Sequence, residues 1–452
     1  MPQQLRSKAN FFNMKKLLLP IAAIAISLPA AAEGYQVNTL SAKQNGMGHT
    51  GTALKLGAES MIFNPAGMAF MDKTVDFSAS VTGIFATAKA TLPNGTTYET
   101  DNKASTPISA NLGFSIYDNL KAGISFYTPY GSGINWTDNW PGAMLSQSVN
   151  LATYTLQPTI AWQITPKLSI GAGLMMTWGT VDLNKGLVDP ATLDALMSQM
   201  GMPASFGSTV PASVNLKGTS RMAFGVNVGA MYDFNEKWTV GASYRSKMPM
   251  KVKAGTASLS YVNELAKTIL ESKLSVLDQA NFKAEMPCVS VLNIGGAYRP
   301  IPNVTVAADI QVSFWKEYDQ LDIEFLSEQL TPFNQHIAKD YRNSLTYHVG
   351  AEWGVTKRFD LRCGMMVDTA PMRSDNYNPE TPGMTKIEPS IGFSFRPIKN
   401  FSIDLAVLYV AGLGMDNASC TYKNLLTNQD QTFTADYKVH AVNPSLGLSY
   451  SF

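Results

Sequence analysis

The residues able to do chemistry are few and widely spaced. Histidine occurs only at His49, His336, His348 and His440. A hydrolytic triad would set one of them beside a nucleophile and an orienting carboxylate at matching depth on neighbouring strands. His348 and His440 fall on strand-like stretches, neither with such partners in view, so the chain does not read as an enzyme. Cys288, Cys363 and Cys420 are odd in number and far apart, which gives neither a disulfide framework nor a metal-ligand spacing. No metal and no cofactor is expected. Arg245 and Lys247, in "WTVGASYRSKM", occupy the polar face of an alternating stretch. Their ordinary use is pairing with Asp309, Asp368 or Asp404; the other is holding an anionic ligand group. Charged residues make up 15% of the 452 positions with a formal net charge of +1, which leaves no basic surplus for nucleic acid.

What must position such groups is a set of strands. In "WTVGASYRSKM", Trp238, Val240, Ala242, Tyr244 and Met248 share one face, and Thr239, Ser243, Arg245 and Lys247 the other. "NFSIDLAVLYV" sets Phe401, Ile403, Leu405, Val407 and Tyr409 against Ser402 and Asp404, and "RFDLRCGMMVD" and the closing "SLGLSYSF" repeat the pattern. Short turns such as Asp118-Asn119 and Asn235-Glu236-Lys237 alternate with long connections near 91–103, 131–150, 184–216, 257–280, 329–340, 371–386 and 413–431. Fourteen strands fit between residues 74 and 452, among them 104–118, 237–256 and 303–327. Short turns on one side and long loops on the other are the pattern of an antiparallel transmembrane β-barrel, closed because hydrocarbon tolerates no unpaired strand edge. Phe126, Tyr127, Trp178, Trp238, Phe314 and Trp315, near strand ends, are expected at the membrane interfaces. A soluble sandwich or propeller also alternates, but the N-terminus and the lack of a blade repeat oppose it.

From Met14 the chain reads "MKKLLLPIAAIAISLPAAA", a basic start, a short apolar run and small residues at Ala30 and Ala32. That is a secretory signal peptide over 14–32, with cleavage expected before Glu33 and 1–13 as a leader extension. The apolar run is short of the roughly 20 residues a spanning helix needs.

The chain resembles the FadL-type long-chain fatty acid transporters of bacterial outer membranes over nearly all of its mature length. The resemblance rests on "GYQVNTLSAKQNGMGHTGTAL" from Gly34, Asn64-Pro65-Ala66-Gly67, "TPYGSGINW" from Thr128 with the following "NWPGAM", "LQPTIAWQITPKLSIGAGL" from Leu156, "VGASYRSKM" from Val240 and "LRCGMMVDTAP" from Leu361. It implies an all-β fold: a fourteen-stranded antiparallel transmembrane β-barrel at 74–452 with an N-terminal hatch at 33–73 inside its lumen. The resemblance also implies a monomer seated among outer membrane lipids by the barrel assembly machinery, with no nucleic acid partner. Its task would be passive uptake of a hydrophobic small molecule, a long-chain fatty acid foremost. The ligand would pass from a groove in the outer loops to an internal apolar pocket, then past the hatch and sideways through the wall. A specific porin for polar solutes is the other transport reading, opposed by a hatch that would obstruct an open channel.

On that scheme the loop 131–150 offers Trp136 and Trp140 to the ligand. The loop 184–216 contains "DPATLDALMSQMGM", where Asp189 can cap a helix beginning at Pro190, with Leu193, Leu196, Met197 and Met200 on one face. The resemblance places a basic head-group contact at Lys185, and Arg245 is the alternative. In the hatch, Met61 and Phe63 are expected to be buried or to face the pocket. Asn64, Pro65, Ala66 and Gly67 are expected to make a tight turn that holds the plug in place.

Overall fold

Alternation along each stretch places apolar side chains on one face and polar ones on the other, and a sheet built from such strands must hide the polar face or close upon it. The chain does the second. The structure, a computed structural model, describes residues 34–137, 139–203 and 206–452. The expected leader at 1–13 and signal peptide at 14–32 lie outside the described residues. Fourteen antiparallel strands form one closed barrel. They are β1 (Val75–Thr82 and Phe85–Thr91), β2 (Thr97–Glu99 and Ile108–Tyr117), β3 (Leu120–Tyr127 and Gly131–Asn135), β4 (Ser148–Gln163) and β5 (Leu168–Gly186). Next come β6 (Ala212–Thr219 and Ala223–Asp233), β7 (Trp238–Arg245 and Met248–Tyr261), β8 (Asn281–Cys288 and Val291–Ile301), β9 (Val304–Ser313 and Gln320–Phe325) and β10 (Gln335–Ala338 and Ser344–Gly354). The last are β11 (Phe359–Asp368), β12 (Lys386–Ile398), β13 (Phe401–Gly412 and Met415–Lys423) and β14 (Asp430–Ser451). β14 pairs back onto β1, with Asp76 opposite Ser451 and Thr82 opposite Ser445, which closes the barrel.

The outward face is apolar. Leu405, Val407 and Tyr409 of β13 and Val442, Leu446 and Leu448 of β14 are exposed, whereas Ser402, Asp404, Asn443 and Ser445 are buried. This band matches the roughly 9 to 11 residues a tilted strand needs to cross hydrocarbon. Aromatic pairs mark its two borders: Trp238 with Tyr298 and Phe359 with Phe395 at the short-turn end, Phe126, Tyr154 and Trp178 at the long-loop end. Tyr127 and Trp315, expected there too, are instead fully buried on the inside. Cys363 is exposed on the outward face between Leu361 and Met365, while Cys288 and Cys420 are buried. In outer-membrane vesicles a lipophilic maleimide therefore labels one thiol per chain at Cys363, and a charged, impermeant one labels none; labelling by the charged reagent would contradict this orientation.

Several strands bend where the sequence shows one unbroken run. The stretch 303–327 breaks after Ser313, where Trp315–Glu317 makes a single 3-10 turn and Trp315 swings inward onto Tyr35, 4.9 Å between ring centroids. In 237–256 the strand breaks at Ser246 and Lys247, and the alternation inverts across the break although the register with the neighbouring strands is kept. Met248 is consequently buried rather than outward beside Trp238, and Lys247 is exposed, its Nζ 2.9 Å from the Glu317 carbonyl. The stretch 104–118 pairs as β2 only from Ile108, since Pro107 lacks an N–H to donate. Conversely, 131–150, 329–340 and 413–431 are not wholly loops: β3, β10 and β13 continue into them as Gly131–Asn135, Gln335–Ala338 and Met415–Lys423.

The bend in β2 opens a seam. Ser105 turns toward β1, where its carbonyl accepts from the Ile84 amide at 2.7 Å. β2 and β3 meet at Ile108 with Thr128 and again at Asp101 with Asn135, and among the described residues no backbone bond joins them between. The free edge of β3 is taken by residues 35–37. The Val37 amide donates to Pro129 and the Gly131 amide to Tyr35, each at 2.9 Å.

Candidate functional site

Residues 34–73 reach β1 by way of the buried face of the wall, in four short turns of helix. α1 (Ala42–Asn45) is capped by Ser41 and lies on β12, β13 and β14; α2 (Ser60–Phe63) runs into a 3-10 helix, Pro65–Phe70, that lies on β4, β5 and β6. Asn64 caps that helix: its Oδ1 accepts from the Ala66 amide at 3.1 Å, and its Nδ2 donates to the carbonyls of Thr52 at 2.8 Å and Ala230 at 3.0 Å. Pro65 holds the first helical position, where its missing N–H costs nothing. Gly67 packs so closely that a Cβ there would lie 2.7 Å from the Ser60 hydroxyl. The four residues expected as a tight turn make one, closed by the Gly67 amide donating to the Asn64 carbonyl at 2.9 Å, and that turn opens a capped 3-10 helix.

The wall grips this segment. Asp309 Oδ2 accepts from the amides of Gly51 and Thr52 at 2.7 and 2.9 Å, and His348 Nδ1 lies 2.8 Å from the Gly48 carbonyl. At Gly350 and Gly364 a Cβ would fall 2.2 Å from the Met47 carbonyl oxygen and 2.1 Å from the Gly48 nitrogen, so wall and segment meet backbone to backbone. His348 sits directly across the strand pair from Asp309, a carboxylate neighbour that strand reading did not supply. Asp309 Oδ2 serves the Gly51 and Thr52 amides, and His348 Nδ1 meets the Gly48 carbonyl rather than a carboxylate. Met61 packs with Ala58, Met68 and Ala161, and Phe63 lies on His49 beside a small polar cavity shared with Arg245, Asp309 and His348. Neither Met61 nor Phe63 lines the apolar space described next.

Toward the long-loop end lie two cavities in series. The inner one is almost wholly apolar, lined by Val181, Met250, Phe282, Leu321 and Ile323 with Tyr35 at one side, and encloses about 60 Å³. Small-molecule sites enclose roughly 300 Å³ or more, so a ligand enters it by pushing side chains apart. The outer one, about 550 Å³, is a groove between strand ends lined by Leu145, Lys185, Phe333, Gln335 and Tyr422 among others. Leu216 and Ile323 line both, so a single layer of side chains separates groove from cavity. Lys185 projects into the groove half-buried, its Nζ 2.9 Å from the Gln335 amide oxygen.

Trp136 and Trp140, expected to meet ligand, are buried and stacked at 4.3 Å, with Trp136 Nε1 donating to the Pro379 carbonyl at 3.1 Å. They hold the mouth together rather than line it. The expected helix α3 (Pro190–Gln199) forms, with Asp189 Oδ2 accepting from the Thr192 amide at 2.9 Å. Its apolar face is only half used. Leu193 and Met197 pack with Leu270 and Leu274 of α4 (Glu264–Leu274), a helix in the stretch 257–280 that sequence reading took for plain loop. Leu196 and Met200 are 38% and 71% exposed, so they line neither cavity and face outward.

Sequence reading also missed Lys339 and Glu380. Lys339 lies between the two parts of β10, 2% exposed, and its ammonium pairs with the Glu380 carboxylate on the β11–β12 connection. Burial, the largest single influence, opposes charge on Lys339, but the Glu380 carboxylate together with the neighbouring Tyr318 and Tyr341 outweighs it and holds the ammonium above its usual range. Two residues 41 positions apart carry no spacing signal; only the fold joins them.

Residues 23–452 match the family described as outer membrane protein transport protein (OMPP1/FadL/TodX). The chain is 24% identical over 426 residues to the long-chain fatty acid transport protein of Escherichia coli O6:H1, covering 88% of this chain and 91% of that one. Its fold is similar to that of a Pseudomonas aeruginosa FadL homologue, with a TM-score of 0.77 at 18% identity over 93% of this chain and 100% of the other. The P. putida toluene transporter TodX gives a TM-score of 0.67 at 16% identity over 91% and 98%.

Proposed function

The chain belongs to the OMPP1/FadL/TodX family of outer membrane transport proteins, and on that premise we propose that its cargo is a long-chain fatty acid. Membership makes it an integral outer-membrane barrel that moves hydrophobic compounds and not an enzyme. The choice of cargo is carried by one observation: Lys185 stands in the wall of a groove of mixed apolar and polar lining, beside Leu145, Leu216 and Phe333, with the Gln335 amide oxygen on its ammonium. A carboxylate is costly to bring into apolar surroundings unless it meets a cation there, and a hydrocarbon needs none. In this reading the alkyl chain lies first in the groove and then displaces side chains of the inner cavity. Residues 34–73 act as a hatch across the lumen, pinned by Asp309, Asn64 and the Gly67 contact. Arg245, beside Phe63 and His49, stands further along the route. The seam between β2 and β3 is the side exit, covered at rest by residues 35–37.

The test is to purify the full chain in detergent, identify retained lipid by mass spectrometry and measure conductance of the same sample in planar bilayers. Retained long-chain fatty acid with little steady conductance is the expected result. Large steady conductance with no retained lipid would overturn the reading in favour of a polar-solute porin.

A further inference from the structure

We propose that Glu380 is a tethered stand-in for the cargo's own carboxylate: in the empty protein it occupies the seat on Lys339 that an incoming carboxylate takes in passing from groove to inner cavity. This rests on the fatty acid reading above. The pair lines neither cavity itself and reaches both through its neighbours. Next to Lys339 in the chain, Ile337 and Ala338 line the outer groove. On its other side the Lys339 Nζ lies 5.5 Å from the centre of the Tyr318 ring, and Tyr318 packs on Tyr35, which lines the inner cavity.

A buried ion pair is a poor source of stability, because desolvating two charges cancels most of their attraction. Its worth here is exchange. Removing Glu380 alone would strand a buried ammonium, which is expensive, but an alkyl carboxylate arriving from the groove supplies the same group as Glu380 leaves. Lys339 stays paired throughout, no proton moves, and Glu380 passes to water with its loop. Met372, Tyr377 and Met384 anchor the connection in the core, so the movement is confined to the few residues around Glu380 between those anchors, where Trp136 Nε1 holds the Pro379 carbonyl at 3.1 Å. A neutral chain of the same length offers Lys339 nothing and leaves the loop shut. Selection between fatty acid and hydrocarbon is thereby made at the partition and not in the apolar cavity.

Oleate and oleyl alcohol, equal in chain length, are the probes. If Glu380 fills the seat nine-tenths of the time or more, apparent oleate affinity is lowered about tenfold, since only the open fraction binds. Glu380→Gln in the full-length detergent-solubilised protein is expected to tighten oleate binding by about that factor and to leave oleyl alcohol binding unchanged. Equal oleate affinity in both proteins would overturn the exchange while the fatty acid reading stands; no oleate binding to either overturns both. The wild-type protein gives a second readout that needs no variant. Saturating oleate should speed amide hydrogen exchange across residues 371–385, and oleyl alcohol should not. Unchanged exchange at saturation rejects the proposal whatever the variant does.

Discussion

Asp309→Ala turns a barrel that is silent in a planar bilayer into one that conducts in bursts. The carboxylate holds two consecutive backbone amides, Gly51 and Thr52, and is buried with them. A hydrogen bond to a charged group contributes about 1.5 to 3 kcal/mol, so losing both removes about 3 to 6 kcal/mol of attachment between segment and wall. The alanine also leaves two buried amides without partners. Asn64 and the glycine contacts at Gly350 and Gly364 remain, so the segment loosens without leaving, which is why bursts rather than a steady open level are expected. Asp309→Asn keeps one acceptor oxygen and should fall between. The wall itself does not depend on this carboxylate, so both variants should keep the heat-dependent gel shift of a folded barrel. If Asp309→Ala folds and stays as silent as wild type, the segment is not held from this point.

Lys185→Met separates charge from contact. Methionine keeps an unbranched apolar stem in the groove and removes the ammonium. Loss of one charge-assisted bond corresponds to about a ten- to hundredfold weaker hold on oleate, while oleyl alcohol should bind as before. A uniform loss for both probes would mean that Lys185 shapes the groove and does not bind the head group. Unchanged oleate affinity would shift the head-group assignment to Arg245.

The two halves of the molecule were unequally legible. Alternation in "NFSIDLAVLYV" translated directly into β13, because between lipid and lumen a strand has no third environment to satisfy. In "WTVGASYRSKM" the same rule failed at Met248: a two-residue break changes no residue type, so nothing in composition marks the inversion. The α3 cap was readable because Asp189-Pro190 is a local signal, whereas the fate of its apolar face depended on α4, about seventy residues on. Asn64 announced a turn but not its partners, since Thr52 and Ala230 are supplied by the fold. Lys339 and Glu380 are the extreme case, an ordinary lysine and an ordinary glutamate made into a site only by the path of two loops.

The strand edge covered by residues 35–37 has a thermodynamic character of its own. If those residues withdraw, the Pro129 carbonyl and the Gly131 amide face a hydrocarbon that can bond neither, at a cost of several kcal/mol per group. The withdrawn segment loses the same bonds. If the seam is the side exit proposed above, it would behave like a sprung door: it would stand open only while something amphipathic occupied it, and the bilayer itself would drive it shut behind the last molecule through.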